Sequence, residues 1–163
     1  MLPIETERLR LRRLTRADIP ALVAYRSDER VAALQSWSTM SLEEGEALVA
    51  EQDGEWMQIG IALKENDALI GDIGVRIDGD AAEIGFSLAP DAQNRGYATE
   101  ACRAVFARLF EQVQRIEAVI DARNTAAIAL VTRLGMSLDR TEEAEFKGAM
   151  CREHHFVLEL RNA

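Results

Sequence analysis

One unbroken apolar stripe near the middle of the chain constrains its fold more than any other feature. Ala98, Ala101, Cys102, Val105, Phe106, Leu109 and Phe110 recur at helical spacing over three turns, which defines a long amphipathic helix. Segments of alternating polarity flank it, residues 81–89 before and the set Ile116, Ala118 and Ile120 after. Alternation marks strands. Two strands joined by a helix-length connection can pair in parallel, whereas a tight turn would hold them antiparallel.

The other segments extend this βαβ centre. Residues 7–14 put Leu9 and Leu11 on one side and Arg8, Arg10 and Arg12 on the other, a half-buried strand. Thr15 followed by Asp18 is a variant capping box, and the helix it starts buries Ile19, Leu22 and Val23. Ser41 with Glu44 opens a second helix that runs to about Gln52. Residues 56–63, 68–76 and 81–89 read as three strands turned at Asn66-Asp67 and Asp78-Gly79-Asp80, an antiparallel meander. Asn124 caps a further helix that ends at Gly135. Residues 136–140 and 151–160 close the chain as strands, with a loop across 142–149. The expected fold is α+β: a single domain over residues 1–163, order β-α-α-β-β-β-α-β-α-β-β. Its mixed, mostly antiparallel sheet has about seven strands, with four helices.

At 163 residues the chain buries enough surface to need no disulfide or metal. Its formal net charge of −9 argues against nucleic acid or an anionic membrane as partner, since both would repel it. Two cysteines, Cys102 and Cys151, give neither a disulfide framework nor metal-ligand spacing. His154 and His155 are adjacent in a strand, so they point to opposite faces and form no metal site together. The N-terminal segment lacks the apolar run of a secretory signal, and no stretch approaches 18 apolar residues. The expectation is a cytoplasmic protein with no metal.

The chemistry concentrates just before the long helix, in Gln93-Asn94-Arg95-Gly96-Tyr97-Ala98. First-turn amides of a helix have no intrahelical partner, and the helix dipole adds partial positive charge there. Gly96 and Ala98 clear space for a close approach to the backbone, and Arg95 adds a full charge. The result is an anion site suited to a pyrophosphate. Neither G-x-G-x-x-G nor G-x-x-x-x-G-K-[ST] occurs, so a Rossmann dinucleotide site and a P-loop are poorly supported.

Gln93-x-x-Gly96-x-Ala98 resembles the acyl-CoA motif Q/R-x-x-G-x-G/A of the Gcn5-related N-acetyltransferase (GNAT) superfamily. Thr6-Glu7-Arg8-Leu9-Arg10-Leu11-Arg12 is similar to the T-E-R-L-x-L-R opening of its ribosomal-protein-alanine acetyltransferase branch. Leu69-Ile70-Gly71-Asp72-Ile73-Gly74, Glu83-Ile84-Gly85-Phe86-Ser87-Leu88 and Gly96-Tyr97-Ala98-Thr99-Glu100-Ala101 resemble that branch's L-I-G-x-I-G, E-I-G-Y-x-L and G-Y-A-T-E-A segments. Asn124 to Leu134 with Gly135-Met136 resembles N-x-x-S-x-x-x-x-x-K-L-G-F. These matches run over nearly the whole chain.

The resemblance implies a transferase that moves an acetyl group from acetyl-CoA to a primary amine in a ternary complex. The acceptor would be a protein N-terminus or a small cationic amine, and the net charge leans towards the latter. The amides of Asn94, Arg95, Gly96, Tyr97 and Ala98, with Gln93, would hold the pyrophosphate. A bulge near Leu88 would free backbone groups for the pantetheine arm and for a tetrahedral oxyanion. Asn124 would contact the same arm or serve as a helix cap. Glu83 is the expected general base, on the sheet face away from the long helix. The positions of the usual acids hold Val131 and Ala127, neither of which carries a proton donor. That departure keeps alternatives open: a CoA-binding sensor or assembly protein without catalysis, or an interaction module with an idle anion loop. Expected partners are acetyl-CoA and the amine, with a homodimer as a further expectation. Residues in the first two helices and in the 142–149 loop would select the acceptor, with Trp37 either in its cleft or packed beneath the second helix.

Overall fold

The computed structural model describes residues 1–163. Its elements are β1 (Ile4–Glu5), β2 (Leu9–Arg12), α1 (Ile19–Arg26), α2 (Glu29–Ala32), α3 (Leu42–Ala50), β3 (Met57–Leu63), β4 (Leu69–Asp78) and β5 (Ala81–Leu88). They continue with α4 (Tyr97–Leu109), β6 (Arg115–Asp121), α5 (Thr125–Arg133), β7 (Ser137–Phe146) and β8 (Ala149–Glu159). The strands form one eight-stranded sheet, ordered β1-β2-β3-β4-β5-β6-β8-β7. The mixed fold matches the expectation. The additional strand is β1, a two-residue pairing of Ile4 with Leu11 too short to carry a pattern.

Local chemistry fixes the ends of the elements. Ser41 and Glu44 exchange both capping bonds at 3.1 Å. The Thr15 amide donates to Asp18 at 2.7 Å, and Asp18 also takes two bonds from Arg12. Gly79, at φ +62, turns β4 into β5 in a conformation that side chains disfavour. The stripe on α4 is buried as the sequence predicts: Ala101, Cys102, Val105, Phe106 and Leu109 join Ile73, Val75, Ala82 and Ile84 in the main core.

Only β5 and β6 pair in parallel. Their ladder starts at Ala81–Arg115 and stops at Ile84–Ala118, although β5 continues to Leu88 and β6 to Asp121. Beyond Ile84 the two strands part, and the sheet opens into a wedge. On its other edge β5 stays in regular register with β4, from Asp78–Ala81 to Gly71–Leu88. The expected bulge near Leu88 is therefore absent from that ladder, and strand divergence makes the opening instead.

The region expected as a loop over 142–149 is a hairpin. β7 and β8 pair out to Phe146–Ala149 around Lys147 and Gly148, at φ +49 and +83. Two successive positive φ angles are what a two-residue hairpin turn needs. β7 is an edge strand with no buried residue, so it shows no apolar alternation. No helix is long and apolar enough to cross a membrane.

Candidate active site

The wedge between β5 and β6 opens into a cavity of about 940 Å³. Its walls come from both faces of the sheet. Phe86, Ser87 and Leu88 form its floor; Gln93 to Ala98 (without Arg95), α4 and α5 form one wall; and Arg30, Val31 and Gln35 form the other.

The backbone of β5 supplies the floor's polarity. Ala89 donates its amide to the Ile70 carbonyl of β4 at 2.7 Å. Backbone groups of successive strand residues point to opposite edges. Ser87 and Gly85 therefore address β4, and Phe86 and Leu88 address the gap left by β6. Two glutamines confirm this direction: Gln35 donates to the Phe86 carbonyl at 3.2 Å and Gln93 to the Leu88 carbonyl at 3.1 Å. The amides of Phe86 and Leu88 face the same gap. Gln93 thus binds the exposed edge of β5.

The loop expected to hold an anion leads into an uncapped helix N-terminus. Asn94 and Gly96 adopt φ +61 and +81. No side chain caps α4, and its first internal bond runs from the Glu100 amide to the Gly96 carbonyl at 3.1 Å. The amides of Tyr97, Ala98 and Thr99 are left to the cavity end of the helix dipole. This is a cradle that fits a pyrophosphate. Arg95 is the loop residue that does not line the cavity, and its carbonyl instead accepts from Arg8 at 2.8 Å.

A clasp missed in the sequence holds this loop in place. Glu100 accepts from the Thr6 hydroxyl (2.6 Å), the Arg8 amide (2.9 Å) and the Arg8 guanidinium (2.8 Å). The Arg8 guanidinium also lies over the Tyr97 ring, 4.3 Å from its centre. Partial burial pushes the Glu100 carboxyl up, but the Thr6 and Arg8 hydrogen bonds outweigh it and hold the group below the usual range. Two of the segments that carry the resemblance, at Thr6–Arg8 and at Gly96–Ala101, are one hydrogen-bonded unit.

Asn124 lines the cavity and also caps α5, accepting the Ala127 amide at 3.1 Å. The cap uses its carbonyl oxygen, so the amide end remains for the cavity. Ala127 lines the cavity, whereas Val131 is fully buried in the core. Neither donates a proton. A tyrosine in place of Val131 would have to enter packed core.

Glu83 is on the sheet face opposite α4, as predicted, but outside the cavity lining. It pairs with Arg76 across the strands at 3.0 Å, with its side chain 27% exposed. What lies behind the cavity floor is a different cluster. Asp72 accepts from Arg26 at 2.6 Å, from the Ser87 hydroxyl at 3.2 Å and from the Tyr25 hydroxyl. All four residues are 9% exposed or less. Burial, followed by the Asp72 charge, pushes the Tyr25 hydroxyl well above its ordinary value. Arg26 stacks on Trp37, whose indole N–H donates to the Arg26 carbonyl at 2.8 Å. Trp37 thus packs against α1 rather than lining the cleft. The hairpin tip closes over the same side, where the Lys147 ammonium donates to the carbonyls of Ala32 (2.9 Å) and Trp37 (2.8 Å). Asp72, a lone acid inside the apolar run Leu69–Val75, was the visible signal for this cluster.

The one parallel strand pair, β5–β6, splays beside a crossover helix whose N-terminus is uncapped and led by a glycine. Residues 8–137 match the acetyltransferase (GNAT) domain family, and the chain belongs to that family. It is 30% identical to the uncharacterised N-acetyltransferase YnaD of Bacillus subtilis, over 82% of this chain and 81% of that protein. A GNAT-family acetyltransferase of Bacillus anthracis superposes with a TM-score of 0.90 at 22% identity, covering 97% and 98% of the two chains. Two further neighbours carry ligands. One is RimL, a ribosomal L7/L12 α-N-protein acetyltransferase in complex with coenzyme A (TM-score 0.83, 19% identity, 97% of each chain). The other is spermidine N-acetyltransferase of Vibrio cholerae with CoA and spermine (0.85, 18%, 96% and 98%).

Proposed function

We propose that this acetyltransferase moves the acetyl group of acetyl-CoA to an α-amine, that of a peptide N-terminus or an amino acid, by direct attack within the cavity. The thioester supplies an activated acetyl carbon. The amides of Tyr97, Ala98 and Thr99 would bind the pyrophosphate, and the Asn124 amide end would meet the pantetheine arm. The amides of Phe86 and Leu88, aimed into the gap, would take the charge that develops on the carbonyl oxygen when the amine attacks. The β5 edge that β6 has left is the observation that carries this reading. A sensor without catalysis would use the same edge for the pantetheine arm, so turnover with an amine is what separates the two readings.

The lining also bears on the acceptor. Its single acid, Glu100, is held by Thr6 and Arg8, and Arg30, on the other wall, is paired with Asp28 at 2.7 Å. A polyamine finds no unpaired carboxylate in this lining. Nor does an acid in the lining stand ready to strip a proton from a strongly basic ammonium. An α-amine, with an ordinary pKa of about 8, is already partly neutral near pH 7, whereas an alkyl amine near 10.4 is not. The test is acetyl-CoA consumption with trialanine amide, free amino acids, spermidine and an aminoglycoside. Faster turnover of the peptide or amino acids supports the reading. Spermidine turning over fastest would refute the acceptor class, and no turnover with any amine would leave the CoA-binding sensor.

A further inference from the structure

We infer that Ser87, aimed by the buried Asp72, is the hydrogen-bond acceptor that holds the attacking amine. This rests on the transferase reading above. Ser87 lies between Phe86 and Leu88, whose amides face the gap, and its side chain points to the opposite sheet face from Ile84. It is 5% exposed, yet it lines the cavity on the side formed by Arg30, Val31 and Gln35. A serine hydroxyl has one hydrogen and two lone pairs. Here the hydrogen goes to Asp72 at 3.2 Å, so the lone pairs are what the cavity meets.

Asp72 is held in place for that aiming task. Tyr25 and Arg26 of α1 and Ser87 of β5 face it, and the Arg26 guanidinium at 2.6 Å balances its charge. The hydrogen bond from the Ser87 hydroxyl to this carboxylate, itself pinned by Arg26, keeps the Ser87 hydrogen turned away from the cavity. An amine entering from the α2 side donates one N–H to Ser87 and directs its lone pair across the β5 edge. Attack then forms the N–C bond and breaks the C–S bond. The nitrogen's surplus proton leaves to water or to the departing thiolate, neither of which requires a protein acid. This accounts for a site that manages with Val131 and Ala127 where the family's donors stand.

The test uses the full chain and the fastest acceptor among the four amine types above. Ser87→Ala should lower kcat/KM for the amine at least tenfold and leave calorimetric CoA affinity within twofold. A second readout needs no turnover: titration of the amine into protein saturated with CoA, where Ser87→Ala should weaken binding by a similar factor. Ser87→Thr, which keeps the hydroxyl, should recover a measurable part of both. A Ser87→Ala protein with wild-type CoA affinity and unchanged amine binding and turnover would overturn the proposal. Loss of CoA affinity together with amine binding would show a structural role and also overturn it. A wild type that acetylates none of the amines would overturn the transferase reading itself, a distinguishable failure.

Discussion

Replacing Gly96 tests the anion cradle, and two substitutions separate backbone strain from charge. Gly96 has φ +81, where an L side chain costs about 1–2 kcal/mol. A Cβ there would meet the Arg8 Nη2 at 3.3 Å, the far end of a flexible side chain that can give way. Gly96→Ala should therefore lose about 1–2 kcal/mol of stability, lowering Tm by about 2–8 °C for a chain of this size. Gly96→Glu carries the same strain and adds a carboxylate beside the free amides of α4. It should weaken CoA binding at least tenfold relative to Gly96→Ala, about 1.4 kcal/mol. The difference should shrink as salt screens the added charge. Isothermal calorimetry with CoA measures it, and thermal melts establish that both variants fold. Equal CoA affinity for the folded alanine and glutamate variants would refute an anion site at this helix terminus.

Four further outcomes follow from the geometry. Glu83→Gln should change the rate less than tenfold, since the carboxylate faces Arg76; a loss of about 10²–10⁴ in steady-state assays would restore it as a general base acting through water. Asp72→Ala should cost about 3–5 kcal/mol in urea unfolding because it leaves Arg26 buried without its counter-charge; a loss below about 1 kcal/mol would contradict that account. The Glu100 carboxyl titrates below its ordinary 4.5 in the folded protein, so its contribution is full above the normal carboxylate range and is lost as pH falls through the lowered value. Glu100→Gln should accordingly flatten the acid limb of stability against pH, seen by thermal melts between about pH 2 and 5. Finally, kcat/KM for the preferred acceptor should rise with pH to a plateau set by an amine of pKa about 8, with no fall at higher pH that could be assigned to an enzyme acid. A bell-shaped profile, after correction for alkaline unfolding, would show that a protein group protonates the thiolate.

The parts of this molecule legible in its sequence are those fixed by short-range chemistry. The α4 stripe, the Ser41–Glu44 box and the turns at Asn66-Asp67 and Asp78-Gly79-Asp80 each depend on residues within one or two turns of one another. The uncapped start of α4 behind Gly96 was legible for the same reason, since a helix terminus is a local object. The β7–β8 hairpin was not, because its outer strand is an exposed edge with no apolar face to create a period of two. The contacts that hold the cavity's walls were the least visible. Thr6 and Arg8 reach Glu100 across more than 90 positions, and Tyr25 and Arg26 reach Asp72 across more than 45. No spacing rule links such residues.

The opening in the sheet belongs to this second class, and it explains why the proton acceptor expected at Glu83 does not meet the cavity. Parallel pairing of β5 with β6 ends at Ile84, so strand position relative to that point decides which side chains meet the cavity. Glu83 falls one residue before the end of the ladder, still flanked by Glu117 of β6 and Arg76 of β4. Ser87 falls three residues after it, on the same face, where no strand covers it on that edge. Alternation along β5 puts both on the sheet face away from α4, but only divergence of the strands separates a cross-strand ion pair from a residue that lines the cavity. On the opposite face of β5 and β6, α4 and α5 bring Val105 and Val131 into the shared core, fully buried, so the face that carries Glu83 and Ser87 is the one left for polar groups.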